Sequence, residues 1–305
     1  MEKEILSFYR KTSMYTNYGK YKDYFKSLPN DLKKLTKLIN KQYIHRVVLT
    51  RSYIEGTTIS KQYPWQNYRC HDDVLITVPA IVAELFRLDK RGFTDERKIK
   101  DKIVITCRYA SILTASILKA KGYSARVRSG FTKYIKPGNY LDHWIVEYYD
   151  RKEKRWVIID SDIIRNTHIF EDYTNIDIER EYFYTASDAW LDARSGKVNL
   201  DIFVHGNCIK GMSMLARTLF YDLHALMNDE ISYMFFPTYL DTDKEFFELT
   251  INQLKELDDL ALLLKDPDAN FDKIKYLFDN NKKYRILNSP LVGDKNHLEI
   301  KRLHM

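Results

Sequence analysis

Apolar residues in this chain recur mostly at helical spacing, with one central stretch where they alternate instead. From Arg108 to Lys121, Ala110, Leu113, Ile117 and Ala120 recur at helical spacing and predict a helix. Gly122 supplies a left-handed stop, and Lys119 and Lys121 in the last turn face the negative end of the helix dipole. Three strand-like runs follow, at 125–131 (ARVRSGF), 143–149 (HWIVEYY) and 154–160 (KRWVIID). In the first, Arg126 and Arg128 alternate with Val127 and Ser129. Residues 150–153 (DRKE) make a polar connection of hairpin length. If Tyr149 pairs with Lys154, His143 lies directly opposite Asp160, with Cβ atoms about 5 Å apart on one face.

The flanks read as helical. Asn30 or Asp31 caps a helix after Pro29, and its apolar stripe runs through Leu32, Leu35, Leu38 and Ile39 to Gln42 and Tyr43. His45 lies at its end, where it caps carbonyls or packs locally. Residues 50–70, polar and aromatic with Gly56 and Pro64, read as a long loop. Trp65 within it is either a surface-anchoring aromatic or a cleft wall whose indole N–H serves as a second oxyanion donor. Residues 78–89 form an apolar helix (Ile81, Val82, Leu85, Phe86) that buttresses the central one. Beyond Asp162, residues 184–190 suggest a helical turn and 197–204 a strand. Residues 211–227 form an amphipathic helix through Met214, Leu215, Leu219, Leu223 and Leu226. Asp241 or Thr242 caps another, running through Phe246, Leu249, Ile251, Leu254, Leu257 and Leu260 to Leu264. A short helix covers 271–278, and the last 25 residues look loosely held. Helices on both sides of a helix-and-antiparallel-sheet centre define an α+β class, with a helical N-terminal region (1–95), a core (96–205) and a helical C-terminal extension (206–305) in one compact unit.

Composition narrows the function. The chain has 305 residues, 45% hydrophobic and 30% charged, ordinary for a folded soluble protein. No apolar run approaches the roughly 18 residues of a membrane span, and the start lacks the layout of a signal peptide. Three widely separated cysteines argue for a reducing compartment, with cytoplasm as the default. Cys70-His71 and Cys208 offer no paired metal-ligand spacing, and no acidic calcium loop, phosphate loop or dinucleotide fingerprint occurs. No metal or cofactor is expected. Residues 1–70 carry fourteen Lys/Arg against five Asp/Glu, whereas the whole chain is only +7. That basic third is either a solvated helical face or a surface for an acidic partner.

The candidate chemistry lies in the centre. Cys107 opens the predicted helix at its positive end, where the dipole and backbone N–H groups stabilise a thiolate, and its own amide can help hold an oxyanion. His143 opens a strand and Asp160 closes the next. Nucleophile, base and orienting carboxylate thus occur in that order, the requirement for cysteine-dependent acyl transfer from an amide or ester through a thioester. Water as acceptor makes a hydrolase and an amine makes a transferase; the sequence leaves both open. The runner-up is a binding module for an acidic partner, and nucleic-acid association ranks behind it.

The same stretch resembles the core of the transglutaminase-like superfamily, which has a papain-like fold. The resemblance rests on Cys107 at a helix start, on Gly122-Tyr123-Ser124-Ala125-Arg126-Val127, on His143-Trp144 and on Trp156-Val157 before Asp160. It implies Cys107 as nucleophile, His143 as base and Asp160 as orienter, with Asp162 as the substitute for the last role. The chain is similar in particular to uncharacterised bacterial transglutaminase-like proteins through Cys107-Arg108, residues 125–131 and Asp142-His143-Trp144. It departs from them at Tyr109-Ala110, where Asp-Phe is common, so a shared substrate is not implied.

Overall fold

The computed structural model describes residues 2–63, 74–135, 138–162, 176–205, 209–233 and 248–285 of the chain. In chain order the helices are α1 (Glu2–Arg10), α2 (Lys22–Ser27), α3 (Leu32–Asn40), α4 (Arg46–Glu55), α5 (Thr58–Gln62), α6 (Val78–Leu88), α7 (Cys107–Ala120), α8 (Ala186–Arg194), α9 (Gly211–Leu226), α10 (Ile251–Lys265) and α11 (Phe271–Asn280). The strands are β1 (Tyr43–His45), β2 (Ile103–Ile105), β3 (Ala125–Thr132), β4 (Tyr140–Asp150), β5 (Arg155–Ile159), β6 (Phe183–Thr185), β7 (Phe203–His205) and β8 (Ile209–Lys210). The class is α+β. β1 and β2 form a small parallel pair, and the larger sheet has the order β6-β3-β4-β7-β8 with β5 on β4. Among the described residues no helix is long and apolar enough to cross a membrane.

The chain divides into two units. The first comprises residues 6–127 and 144–179, and its centre is α7, every residue of which is buried. A helix buried on all sides is a core element rather than a surface one. α2, α3 and α6 pack on it, so the expected buttress at 78–89 is present. Gly122, at φ +91°, stops the helix in a conformation that side chains rarely adopt. α3 begins on Asp31, whose carboxylate accepts the Lys34 N–H at 2.9 Å.

Three features of this unit differ from the sequence expectation. α3 ends at Asn40, and residues 43–45 form β1 on β2. The stretch expected as a loop from residue 50 is helical through α4 and α5, with Gly56 (φ +65°) as the stop between them. The β4–β5 hairpin pairs Tyr149 with Trp156 and Val146 with Ile159, two residues from the expected register. Asp150 Oδ1 accepts the N–H groups of Lys152 and Glu153 at 2.8 and 3.1 Å, and Lys154 sits at φ +52°. This turn chemistry moves the loop to 151–154 and closes the strands at Asp150 and Arg155. An even shift keeps each strand's alternation, but it removes the drawn opposition of His143 and Asp160.

The second unit comprises residues 1–5, 128–143 and 180–305. Its helices α8 and α10 pack together, tied where the Trp190 indole and the Arg194 guanidinium both donate to Asp258. The turn expected at 184–190 is the full helix α8, capped by Thr185, which accepts the Asp188 N–H. α10 begins at Ile251 behind a capping box of Thr250 and Gln253, not at Asp241 or Thr242, which lie outside the described residues. The expected strand at 197–204 is shorter, reaching only Phe203–His205. The loosely held end falls mostly outside the described residues.

β3 meets β6 with Gly130 opposite Thr185. A Cβ at Gly130 would lie 2.5 Å from the Tyr184 carbonyl oxygen and 2.7 Å from Phe183 Cζ. Gly130→Ala is therefore expected to cost about 1–3 kcal/mol, read as a lowered thermal midpoint. An unchanged midpoint would show that this strand pair opens without cost.

Candidate active site

Three strand ends in the first unit build the site. Because β1 and β2 run parallel, with His45 beside Ile105, both deliver their following helices from the same end. β1 leads into α4 and β2 into α7. The positive ends of two helix dipoles thus lie at neighbouring positions and favour negative charge there. Cys107 is the first residue of α7, after the cap residue Thr106. His45 is the cap residue of α4. The third contribution is the segment Asp160-Ser161-Asp162, which follows β5.

One donor atom each from Cys107, His45 and Asp162 lies within 4.8 Å of the others. Cys107 is 5% exposed and Asp162 is 2% exposed. His45 Nε2 is 3.5 Å from Asp162 Oδ2, and His45 Nδ1 accepts the Val47 N–H at 3.2 Å.

Hydrogen bonds hold the aspartate segment. The Tyr43 hydroxyl lies 2.8 Å from both Asp162 Oδ1 and the Ser161 carbonyl, and donates towards them. Burial, and then the neighbouring Asp162 carboxylate, push the Tyr43 hydroxyl well above the usual tyrosine range. It therefore remains a donor throughout the working pH range of proteins. Asn40 Nδ2 donates to the Ser161 carbonyl at 3.1 Å, and the Ser161 and Thr114 hydroxyls are 2.6 Å apart. The Asp162 N–H donates to Asp160 Oδ1 at 2.8 Å. The segment is thereby fixed to α3, β1 and α7.

Thiolate, imidazole and carboxylate are a donor set of the kind that holds zinc. The tautomer of His45 counts against a resident ion. Nδ1 spends its lone pair on Val47, so in the neutral ring the proton sits on Nε2. Closing Nε2 on a cation would require giving up the helix-capping bond.

Cys107 stands where the sequence puts it, at the start of the central helix. Asp160 and Asp162 are both buried just after β5, and His143 is buried on β4, its ring edge-on to Tyr134 with centroids 6.0 Å apart. His45 is the residue that sequence reasoning missed. Rather than capping the carbonyl end of α3, it caps the amide end of α4. Its role follows from a parallel pairing across sixty residues, which leaves no local signal. Trp65, Cys70, His71 and Cys208 lie outside the described residues.

No protein-family profile matches the chain, and no curated protein sequence matches it. Among solved structures, a proposed cysteine protease from Cytophaga hutchinsonii is similar at 13% identity and a TM-score of 0.33. The match covers 62% of this chain and 50% of that one, so the chain spans about half the length of the structure it matches. A likeness this low assigns neither fold family nor chemistry.

Proposed function

We propose that this chain is a cysteine-dependent acyl-transfer enzyme with a transglutaminase-like, papain-like core, acting on an amide or ester through a thioester on Cys107. The observation that carries the reading is the placement of Cys107 as the first residue of a fully buried helix, with donor atoms of His45 and Asp162 within 4.8 Å. A thiol gains as thiolate at a helix start, and such a site suits attack on a carbonyl.

In the proposed cycle the thiolate forms an S–C bond to the substrate carbonyl. The intermediate then collapses, and the C–N or C–O bond breaks. His143 gives the leaving group the proton it took from Cys107, with Asp160 orienting its ring, the roles the resemblance gives them. Water or an amine then resolves the thioester, yielding an acid or a new amide. The base role is not given to His45, whose Nδ1 accepts the Val47 N–H at 3.2 Å.

The test is the rate of iodoacetamide alkylation at each cysteine from pH 5 to 9, read by peptide mass spectrometry. Cys70 and Cys208 serve as comparisons. Cys107 is expected to react fastest below pH 8, and His143→Ala to slow it at least about tenfold at pH 6, the effect of one pKa unit. A Cys107 that is inert, or that tracks the other two, overturns the enzyme reading.

A further inference from the structure

His45 caps the helix that it starts. Its Nδ1 accepts the Val47 N–H at 3.2 Å, so that nitrogen keeps its lone pair and Nε2 carries the proton. With Nδ1 accepting that bond, the ring offers Nε2–H as a hydrogen-bond donor, as in enzymes that polarise a carbonyl with an imidazole at a helix start.

The ring lies beside Cys107. Nε2 lies 3.5 Å from Asp162 Oδ2, and a ring nitrogen is within 4.8 Å of Cys107 Sγ. The His45 side chain is 9% exposed, so a hydrogen bond made there is little diluted by water. Asp162 is itself held through Oδ1 by the Tyr43 hydroxyl.

We propose that His45 is an electrophilic catalytic residue, whose Nε2–H holds the oxygen of the tetrahedral intermediate formed at Cys107. The inference rests on the reading that Cys107 accepts an acyl group. As the S–C bond forms, the carbonyl π pair moves onto oxygen. Nε2–H, 3.5 Å from Asp162 Oδ2 in the resting site, donates to that oxygen without transferring its proton. When the intermediate collapses, the pair returns to the carbonyl, the leaving group departs, and the hydrogen bond from Nε2–H is released. Backbone N–H groups at the start of α7 supply the complementary donors.

Two probes separate this role from any effect on the thiolate. Alkylation by iodoacetamide displaces iodide at a saturated carbon and develops no oxyanion. Acetylation by p-nitrophenyl acetate passes through one. Both rates are measured at Cys107 in the full chain and in His45→Ala and His45→Asn, with Cys107→Ala as the blank. His45→Ala is expected to slow acetylation by about 10²–10³-fold, the effect of losing one oxyanion donor, and to change alkylation less than about threefold. His45→Asn keeps a cap acceptor and an N–H donor, and is expected to recover part of the loss.

Equal losses in both reactions would place His45 on the thiolate or in the fold and overturn the electrophile role, as would no loss in either. The ratio of the two rates guards against a partly unfolded variant, which slows or speeds both together. A wild-type Cys107 that alkylates but never takes up the acetyl group would sink the acyl-enzyme reading itself, a result distinct from the failure of His45 alone.

Discussion

Asp222→Ala is expected to destabilise the protein by about 3–5 kcal/mol, the cost of breaking a buried ion pair from one side. Arg128 on β3 reaches Asp222 on α9 through two parallel hydrogen bonds of 2.8 Å, and the Ser129 N–H adds a third at 3.0 Å. The two side chains are 3% and 0% exposed. Removing the carboxylate leaves a guanidinium, which does not deprotonate in proteins, without its counter-charge in the interior. The measurement is the urea midpoint of unfolding, with the slope checked for constancy. Arg128→Met combined with Asp222→Leu removes both charges and is expected to restore most of the loss, because apolar replacement of a whole buried pair is often neutral or better. A single-variant cost below about 1 kcal/mol, the range of exposed pairs, would show that water reaches this pair in solution.

That ion pair also shows what the chain discloses and what it keeps. The central helix is legible because its causes are local: apolar residues at helical spacing, a glycine that stops it, and a cysteine at its start. The Ala125-Arg126-Val127-Arg128 run is just as visible as a pattern, and the resemblance rests partly on it. Its physical meaning is not visible, because the partners are Glu147, 21 residues on, and Asp222, 94 residues on. The hairpin is legible in existence and wrong in register. The deciding facts are one carboxylate folding back on two amides and one lysine at positive φ, and composition favours neither loop position.

α4 was hidden for a different reason. Val47, Tyr53 and Ile54 are exposed along it, so its apolar residues do not mark one buried face, and the polar punctuation around Gly56 reads as loop. β1 is three residues long, and its partner β2 comes sixty residues later. Cys107 could therefore be proposed as nucleophile from sequence, whereas His45, which reaches it through that pairing, could not.

Glu147→Ala is expected to cost a similar 3–5 kcal/mol in the first unit, and to loosen the helix that bears Cys107. Arg126 Nε donates to Glu147 Oε2 at 2.7 Å, with both side chains buried. The guanidinium also lies 4.0 Å from the Trp156 ring centroid and 5.2 Å from that of Tyr9. A planar cation fits against two rings while its edge meets a carboxylate; an ammonium cannot do both, so Arg126→Lys is expected to lose part of the same energy. Glu147 shares β4 with Trp144, whose carbonyl accepts the Ser111 hydroxyl of α7 at 2.9 Å. Loss of the ion pair should then reach α7 through that strand. Urea unfolding reads the stability loss, and amide hydrogen exchange resolved to α7 reads the loosening. Faster exchange at Cys107–Ala120, beyond what the global loss accounts for, is the expected result. Exchange that rises only in step with global unfolding would show that Arg126 and Glu147 stabilise the unit without helping to seat α7.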